Sequence, residues 1–342
     1  MIRIGLVGVG FMGWIHYLAA KNLRNGKYTS FVSSDPVKRA GDWRGIQGNF
    51  GPPGEKIDVS PLTSYANFND LLNNPEIDLI DLCTPTPHHP EQAIAALLAG
   101  KHVLVEKPIA LSLEDADRMI AAANKANRML MVAHVLPFIP EFQYVLQVVQ
   151  QNNYGKLQGG QFKRIISQPD WSAAISDHAK TGGPAIDLHI HDTHFIQLLL
   201  GKPIQVTSRG IIQNGSVEYL ITQYEFKNSP EKFSPVVSSA CGALAMNGRP
   251  FTHGFELYFE KATLTYESGV QPLTIIEKDN IVVPKIDATD PVGGFTQELQ
   301  MAVDAVAQHK LPSYLQGQLA RDALALCKME CQSVQENRSI SW

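Results

Sequence analysis

The spacing of apolar positions changes character near residue 135. Before it, short β-branched apolar runs alternate with stretches of helical period. "IRIGLVG" precedes a helix over 11–24, "TSFVSS" a loop region, "DLIDLCT" a helix over 89–99, and "HVLVE" a helix over 112–126, with "MLMVA" closing the series. Strands alternating with helices predict a parallel sheet covered by helices. The stretch 41–61, "GDWRGIQGNFGPPGEKIDVSP", breaks the pattern with glycines and prolines and reads as an irregular surface excursion beyond the second strand.

After about residue 136 come a helix over 140–152, the strand-like "LQGGQFKRIIS", and a helix running from Pro184 or Ala185 to Leu200. Strand patterns follow in "IQVTSRGII", "EYLITQYEF", "PVVSSACGAL", "FELYFEKATLTYE" and "PLTIIE", and an amphipathic helix over 314–336 ends the chain. Strands in succession without intervening helices predict a mostly antiparallel sheet. The expected division is therefore 1–135 and 136–342, with the last helix able to pack back on the first domain. No internal repeat or low-complexity tract interrupts either part.

A length of 342 residues agrees with two domains, and 44% hydrophobic with 18% charged residues is an ordinary globular composition. Net charge is −4 and the 29 Lys and Arg are dispersed, which leaves no basic footprint for nucleic acid or a membrane surface. A small-molecule partner is expected. No export signal or membrane span is legible, and Cys83, Cys241, Cys327 and Cys331 read as reduced thiols of a cytoplasmic protein. Cys327 and Cys331 are spaced i, i+4, but no neighbouring motif supplies the further ligands that a metal needs.

Chemistry begins at "IGLVGVGFMG", where Gly8, Gly10 and Gly13 are spaced GxGxxG around Phe11 and Met12, after a strand and at the head of a helix. Gly8 permits a tight turn, Gly10 lets backbone approach a pyrophosphate, and Gly13 lets helix and strand pack closely. Asp35 follows Gly13 by 22 residues, near the offset at which a carboxylate takes the ribose hydroxyls of a dinucleotide. That favours NAD, since a carboxylate repels a 2′-phosphate. Lys38 and Arg39 keep NADP open as the alternative, although cations at a helix start are more often solvated.

The run "DLCTPTPHHPEQAIAALLAGKHVLVEKPIA", 81–110, resembles the signature of the Gfo/Idh/MocA family, which includes glucose-fructose oxidoreductase and inositol dehydrogenase. Thr84-Pro85 with His89 matches its TPxxxH element, Glu106-Lys107-Pro108 its EKP motif, and His16 its GxGxxGxxH opening. Gly182, Gly183, Asp187 and His191 match its GGxxxDxxxH element. The resemblance spans essentially the whole chain. It implies an α/β protein with an N-terminal Rossmann doubly wound parallel sheet and a C-terminal α/β domain carrying a large, mostly antiparallel open sheet. It further implies NAD(P), a sugar, polyol or related alcohol as substrate, and pairing of copies through the open sheet into a homodimer or homotetramer. Gly8, Gly10, Phe11, Met12, Gly13, Asp35, Thr84, Pro85, His89, Glu106 and Lys107 are then expected at the cofactor.

Lys107 lies at the carboxyl end of an apolar strand, the side that faces ligand in open α/β sheets. There it can exchange a proton with an alcohol or polarise its oxygen, or it can simply pair with a carboxylate. Downstream, Asp187, His189, His191, Asp192 and His194 crowd eight positions. On one continuous helix Asp187, His191 and His194 share a stripe and His189 points elsewhere. The stripe reads either as a metal set of two imidazoles and a carboxylate or as a proton-transfer pair in which Asp187 orients His191. The resemblance assigns catalysis to Lys107, Asp187 and His191 and requires no metal. His194 departs from the aspartate common at that position, and Asp192 reads as a structural or solvated side chain. Trp171 beside Asp170 either covers a sugar ring or packs, and His134 either touches substrate or is satisfied at the domain junction.

The reading is an oxidoreductase that interconverts a secondary hydroxyl and a ketone. The rivals are an NAD-dependent glycosidase working through transient oxidation and a sensor that binds dinucleotide without turnover.

Overall fold

In the computed structural model, which describes residues 1–167, 177–213, 215–227, 234–286 and 290–342, the first half alternates strand and helix as its apolar pattern requires. β1 (Ile2–Val7), α1 (Phe11–Ala20), β2 (Gly26–Val32), α2 (Pro36–Arg39), β3 (Thr63–Tyr65) and α3 (Phe68–Leu72) come first. β4 (Leu79–Leu82), α4 (His89–Leu98), β5 (His102–Glu106), α5 (Leu113–Ala126) and β6 (Leu130–Ala133) complete the series. The strands pair in the order β3-β2-β1-β4-β5-β6, all parallel. β4 and β6 are buried at every position, as a sheet covered on both faces demands. The winding reverses between β1 and β4, so the turns after these two strands flank the crevice where such sheets bind ligand. Gly8 follows β1 and Thr84 follows β4.

The chain continues through α6 (Pro140–Gln151), β7 (Leu157–Ser167), α7 (His178–Thr181), α8 (Pro184–Asp187) and α9 (Ile190–Leu200). Strands β8 (Gln205–Gln213), β9 (Ser216–Glu225), β10 (Val236–Ala245), β11 (Thr252–Phe259), β12 (Thr263–Glu267), β13 (Gln271–Ile276) and β14 (Ile281–Val282) follow. The chain closes with α10 (Gly293–Gln308), α11 (Gly317–Glu336) and β15 (Ile340–Ser341). The second sheet runs β14-β13-β12-β11-β7-β10-β9-β8-β15 and is antiparallel except where β7 meets β10. Its strands alternate: on β9, Leu220, Thr222 and Tyr224 are buried while Ile221, Gln223 and Glu225 are exposed. One face is thus core and the other open.

The chain divides into two compact units, Met1–Phe138 with Ala288–Arg321, and Ile139–Asp287 with Asp322–Trp342. α10 therefore belongs with the parallel sheet. Phe295, Leu299, Ala302, Val303 and Val306 join the same core as Ile4 and Ile15. Among the described residues no helix is long and apolar enough to cross a membrane.

One expectation is refined and one corrected. The stretch 41–61 is irregular and mostly exposed, as a surface excursion should be, but it is anchored from below: Trp43 is fully buried, and Ile46 and Ile57 enter the core. Trp43 Nε1 donates to the Lys38 carbonyl at 2.8 Å, and Trp14 Nε1 to the Pro52 carbonyl at 2.9 Å. The glycines serve close packing there, since a Cβ on Gly54 would lie 2.0 Å from the Trp43 carbonyl oxygen. The run "FELYFEKATLTYE" forms two strands rather than one. β11 and β12 pair antiparallel, and Phe259 N–H donates to the Ala262 carbonyl at 2.8 Å across a turn containing neither glycine nor proline.

Candidate active site

The glycine turn after β1 has the geometry its spacing predicts. Gly8 holds φ 97°, and a Cβ there would lie 2.7 Å from the Cys83 carbonyl oxygen, so turn and β4 touch through backbone alone. A Cβ on Gly13 would sit 2.1 Å from the Gly8 carbonyl oxygen. Gly10 differs: nothing lies within 4 Å of where its Cβ would be. Packing leaves room at that position, which is the open cradle a pyrophosphate needs. The first amides of α1, those of Phe11, Met12 and Gly13, lack an intrahelical acceptor, so the helix end favours an anion. These residues fit a dinucleotide.

Asp35 ends the β2 segment and accepts the Val37 amide at 2.8 Å, capping α2. Lys38 and Arg39 are not freely solvated. Lys38 Nζ donates to the Val9 carbonyl at 2.7 Å, tying α2 to the glycine turn, and Arg39 donates to the carbonyls of Ser33 and Ser34 at 2.8 and 2.9 Å. Both cations are engaged by backbone, which leaves Asp35 as the carboxylate at this strand end.

Lys107 follows β5, is half-buried, and precedes a cis bond to Pro108. Its amide donates to Glu106 Oε2 at 3.0 Å. His89 is buried beneath the two motif turns, with Nδ1 3.0 Å from the Pro108 carbonyl oxygen and Nε2 2.8 Å from that of Thr84. Burial lowers its pKa. It clamps one turn to the other and offers no ring face to a ligand. Thr84 Oγ1 donates to Gln92 at 2.6 Å, Pro85 leads into the turn before α4, and His134 is buried just after β6.

Below these turns lies a cluster that sequence reading passed over. His16, on α1, has Nδ1 3.0 Å from Asp81 Oδ2 and Nε2 3.0 Å from Glu106 Oε1. Tyr28 donates to Asp81, the Cys83 sulfur is 3.5 Å from His16 Nδ1, and Glu298 of α10 is buried nearby. The signal was Asp81 itself, a carboxylate inside the apolar run "DLIDLCT". His16, Asp81 and Cys83 have ligand-type atoms within 4.8 Å of one another. Each imidazole nitrogen faces a carboxylate, however, and burial followed by Asp81 pushes the Cys83 thiol far above the usual range. With one imidazole nitrogen bonded to Asp81 and the other facing Glu106, the set reads as a buried acid–base cluster.

In the second unit the expected single helix over 184–200 is interrupted. α8 ends at Asp187 and α9 begins at Ile190. The amides of Leu188 and His189 both reach the Pro184 carbonyl, at 3.2 and 3.0 Å, and those of Asp192 and Thr193 share the His189 carbonyl. His189 sits in this break, fully buried with Nε2 2.6 Å from Glu330 Oε2 on α11 and 3.3 Å from the Tyr224 hydroxyl. The strict i, i+4, i+7 stripe therefore does not apply. Asp192 is structural and not solvated, buried in a two-pronged pair with Arg164 at 2.9 Å for both bonds. His194 is buried as well. Asp187 and His191 keep partial exposure. Gly182 and Gly183, at φ 82° and 76°, deliver the chain to α8, and a Cβ on Gly183 would lie 2.2 Å from Ser216 Oγ. Trp171 and Asp170 lie outside the described residues.

Residues 2–134 match the model of an oxidoreductase family with an NAD-binding Rossmann fold, GFO_IDH_MocA. Inositol 2-dehydrogenase of Rhizobium meliloti is 25% identical over 99% of both chains. Residues 2–134 thus carry the NAD-binding Rossmann fold of the Gfo/Idh/MocA oxidoreductases. Myo-inositol 2-dehydrogenase of Thermotoga maritima is 26% identical over 81% of this chain and 78% of that protein. Levoglucosan dehydrogenase, solved with NADH and levoglucosan, shares the fold with a TM-score of 0.83 at 18% identity over 99% of each chain. The relatives similar along most or all of the chain are dehydrogenases, and the first unit is of the NAD-binding Rossmann kind.

Proposed function

We propose that the protein is an NAD-dependent dehydrogenase that interconverts a secondary hydroxyl and a ketone on a sugar, polyol or related small molecule. The observation carrying the site assignment is the split within 187–194: His189, Asp192 and His194 are buried, whereas Asp187 and His191 retain access to solvent. The inositol dehydrogenase relatives support the polyol class.

Gly8, Gly10, Phe11, Met12 and Gly13 hold the pyrophosphate in this reading, Asp35 takes the adenosine ribose hydroxyls, and Thr84, Pro85 and Glu106 shape the crevice wall beside Lys107. Bound NAD supplies the hydride acceptor. His191 removes the hydroxyl proton, Asp187 orients the imidazole and favours its protonated form, and Lys107 steadies the oxygen as it becomes a carbonyl.

Two measurements test this reading. NAD(H) should bind more tightly than NADP(H), because ribose hydroxyls donate to the Asp35 carboxylate and a 2′-phosphate cannot; equal or tighter NADP(H) binding in a titration would hand that pocket to Lys38 and Arg39. Lys107→Ala should lower turnover far more than NAD affinity, since its contact is with the reacting oxygen. Unchanged turnover would remove Lys107 from the mechanism.

A further inference from the structure

The cluster beneath the motif turns joins every element that reaches the cofactor crevice of the first unit. His16 sits three residues beyond Gly13 on α1, Asp81 three before Thr84 on β4, and Glu106 next to Lys107 at the end of β5. All three are buried. Nδ1 contacts both Asp81 oxygens, at 3.0 and 3.2 Å, and Glu106 Oε1 stands 3.0 Å from Nε2, off the line of a hydrogen bond. A neutral imidazole has one N–H and would turn a lone pair toward one of these carboxylates. Charge on the ring removes that conflict.

We propose that His16 is a positioning residue: a buried imidazolium that holds Asp81 and Glu106 together and thereby fixes the Lys107 turn against the glycine-turn helix. The inference rests on the catalytic reading of Lys107 given above. Glu106 accepts the Lys107 amide through its other oxygen, at 3.0 Å, so the histidine is one side chain removed from the lysine backbone. Every charged or titratable group facing the ring fits this role. Tyr28 from β2 donates to Asp81, and burial keeps the Cys83 thiol, just after β4, protonated. Glu298 from α10 is fully buried, and neither of its oxygens has a hydrogen-bond partner among the described residues. Burial, partly offset by His16, pushes its pKa well up, which marks it as the neutral acid of the group. Burial opposes charge on His16, the Asp81 carboxylate acts against it through charge and hydrogen bond, and the net shift is upward.

Three arms test the proposal in the full-length protein. In nitrogen NMR of the wild type, both His16 ring nitrogens should remain protonated well above the ordinary histidine range of about 6.5; a single N–H titrating in that range would overturn the assignment. His16→Gln, which carries no charge, should lower kcat by about 10²-fold, the cost of a small misplacement of a reacting group, with NAD affinity changed only a few-fold. The double variant with Lys107→Ala should then be little slower than Lys107→Ala alone, because coupled residues lose their effect together. Unchanged kcat in His16→Gln, or a second full loss in the double variant, would contradict the positioning role. If His16→Gln does not fold, Asp81→Asn serves in its place: a lowered His16 pKa with reduced kcat supports the network, and an unmoved pKa refutes it. Failure of the Lys107 reading itself shows separately, as full turnover in the Lys107→Ala single variant.

Discussion

His191→Ala should slow the chemical step by about 10² to 10⁴-fold, the usual worth of a positioned acid or base. In the proposed reading His191 and Asp187 form the acid–base pair that meets the substrate hydroxyl; both are partly exposed in a segment whose other histidines are buried. Asp187→Asn should also impair turnover, by removing the charge that supports the imidazolium and favours one tautomer. NAD affinity should change little in either variant. Activity should survive exhaustive chelation, because in the proposed reading protein side chains, not a metal, polarise the oxygen. Pre-steady-state kinetics with and without chelator separate the cases. Loss of activity on chelation, restored by zinc or iron, with His194→Ala as damaging as His191→Ala, would make the segment a metal site.

The second large effect is on stability. His189→Ala should destabilise the protein by about 3–5 kcal/mol, the cost of leaving the partner of a buried ion pair uncompensated. For a unit of this size that corresponds to a Tm lower by on the order of 10 °C. Glu330 and His189 are both fully buried, 2.6 Å apart, and the Tyr224 hydroxyl is 3.3 Å from the same nitrogen. Burial opposes charge on His189, but the Glu330 carboxylate outweighs it and the pKa stands well above the ordinary value. A raised folded pKa means that the stabilisation is complete below the unfolded value, about 6.5, and is lost as pH rises through the folded one. Wild-type Tm should therefore fall on the alkaline side of neutrality, and that fall should be smaller in His189→Ala. Turnover per folded molecule should decline far less than in His191→Ala. A variant melting within a degree or so of the wild type would show that the pair contributes nothing.

The parallel sheet was legible because short, largely apolar runs alternate with helical stretches and its motifs lie at strand ends, where topology alone decides what faces the crevice. α10 was not anticipated, although Phe295, Leu299, Ala302 and Val306 repeat at helical spacing. Its neighbours in the chain read as strands, and no local pattern says that a segment after the eight strands β7–β14 returns to the first core. The turn between β11 and β12 lacked glycine and proline, so its break was invisible. In the site, residue identity was readable and partnership was not. His189, expected to point off the stripe, is a buried anchor in the break between α8 and α9; this was unreadable because its partner Glu330 lies 141 positions away in the chain. His16 is similar. Its place after the glycines was recognised, but its carboxylate partners come from two later strands.

The most direct test is to incubate the protein with NAD and a panel of inositols, sugars and sugar acids and follow NADH absorbance. At least one member should reduce NAD and yield the matching ketone, with the rate abolished or nearly so in His191→Ala. NAD that binds but is reduced by no member, under conditions where the protein is folded, would contradict the assignment of a sugar or polyol dehydrogenase.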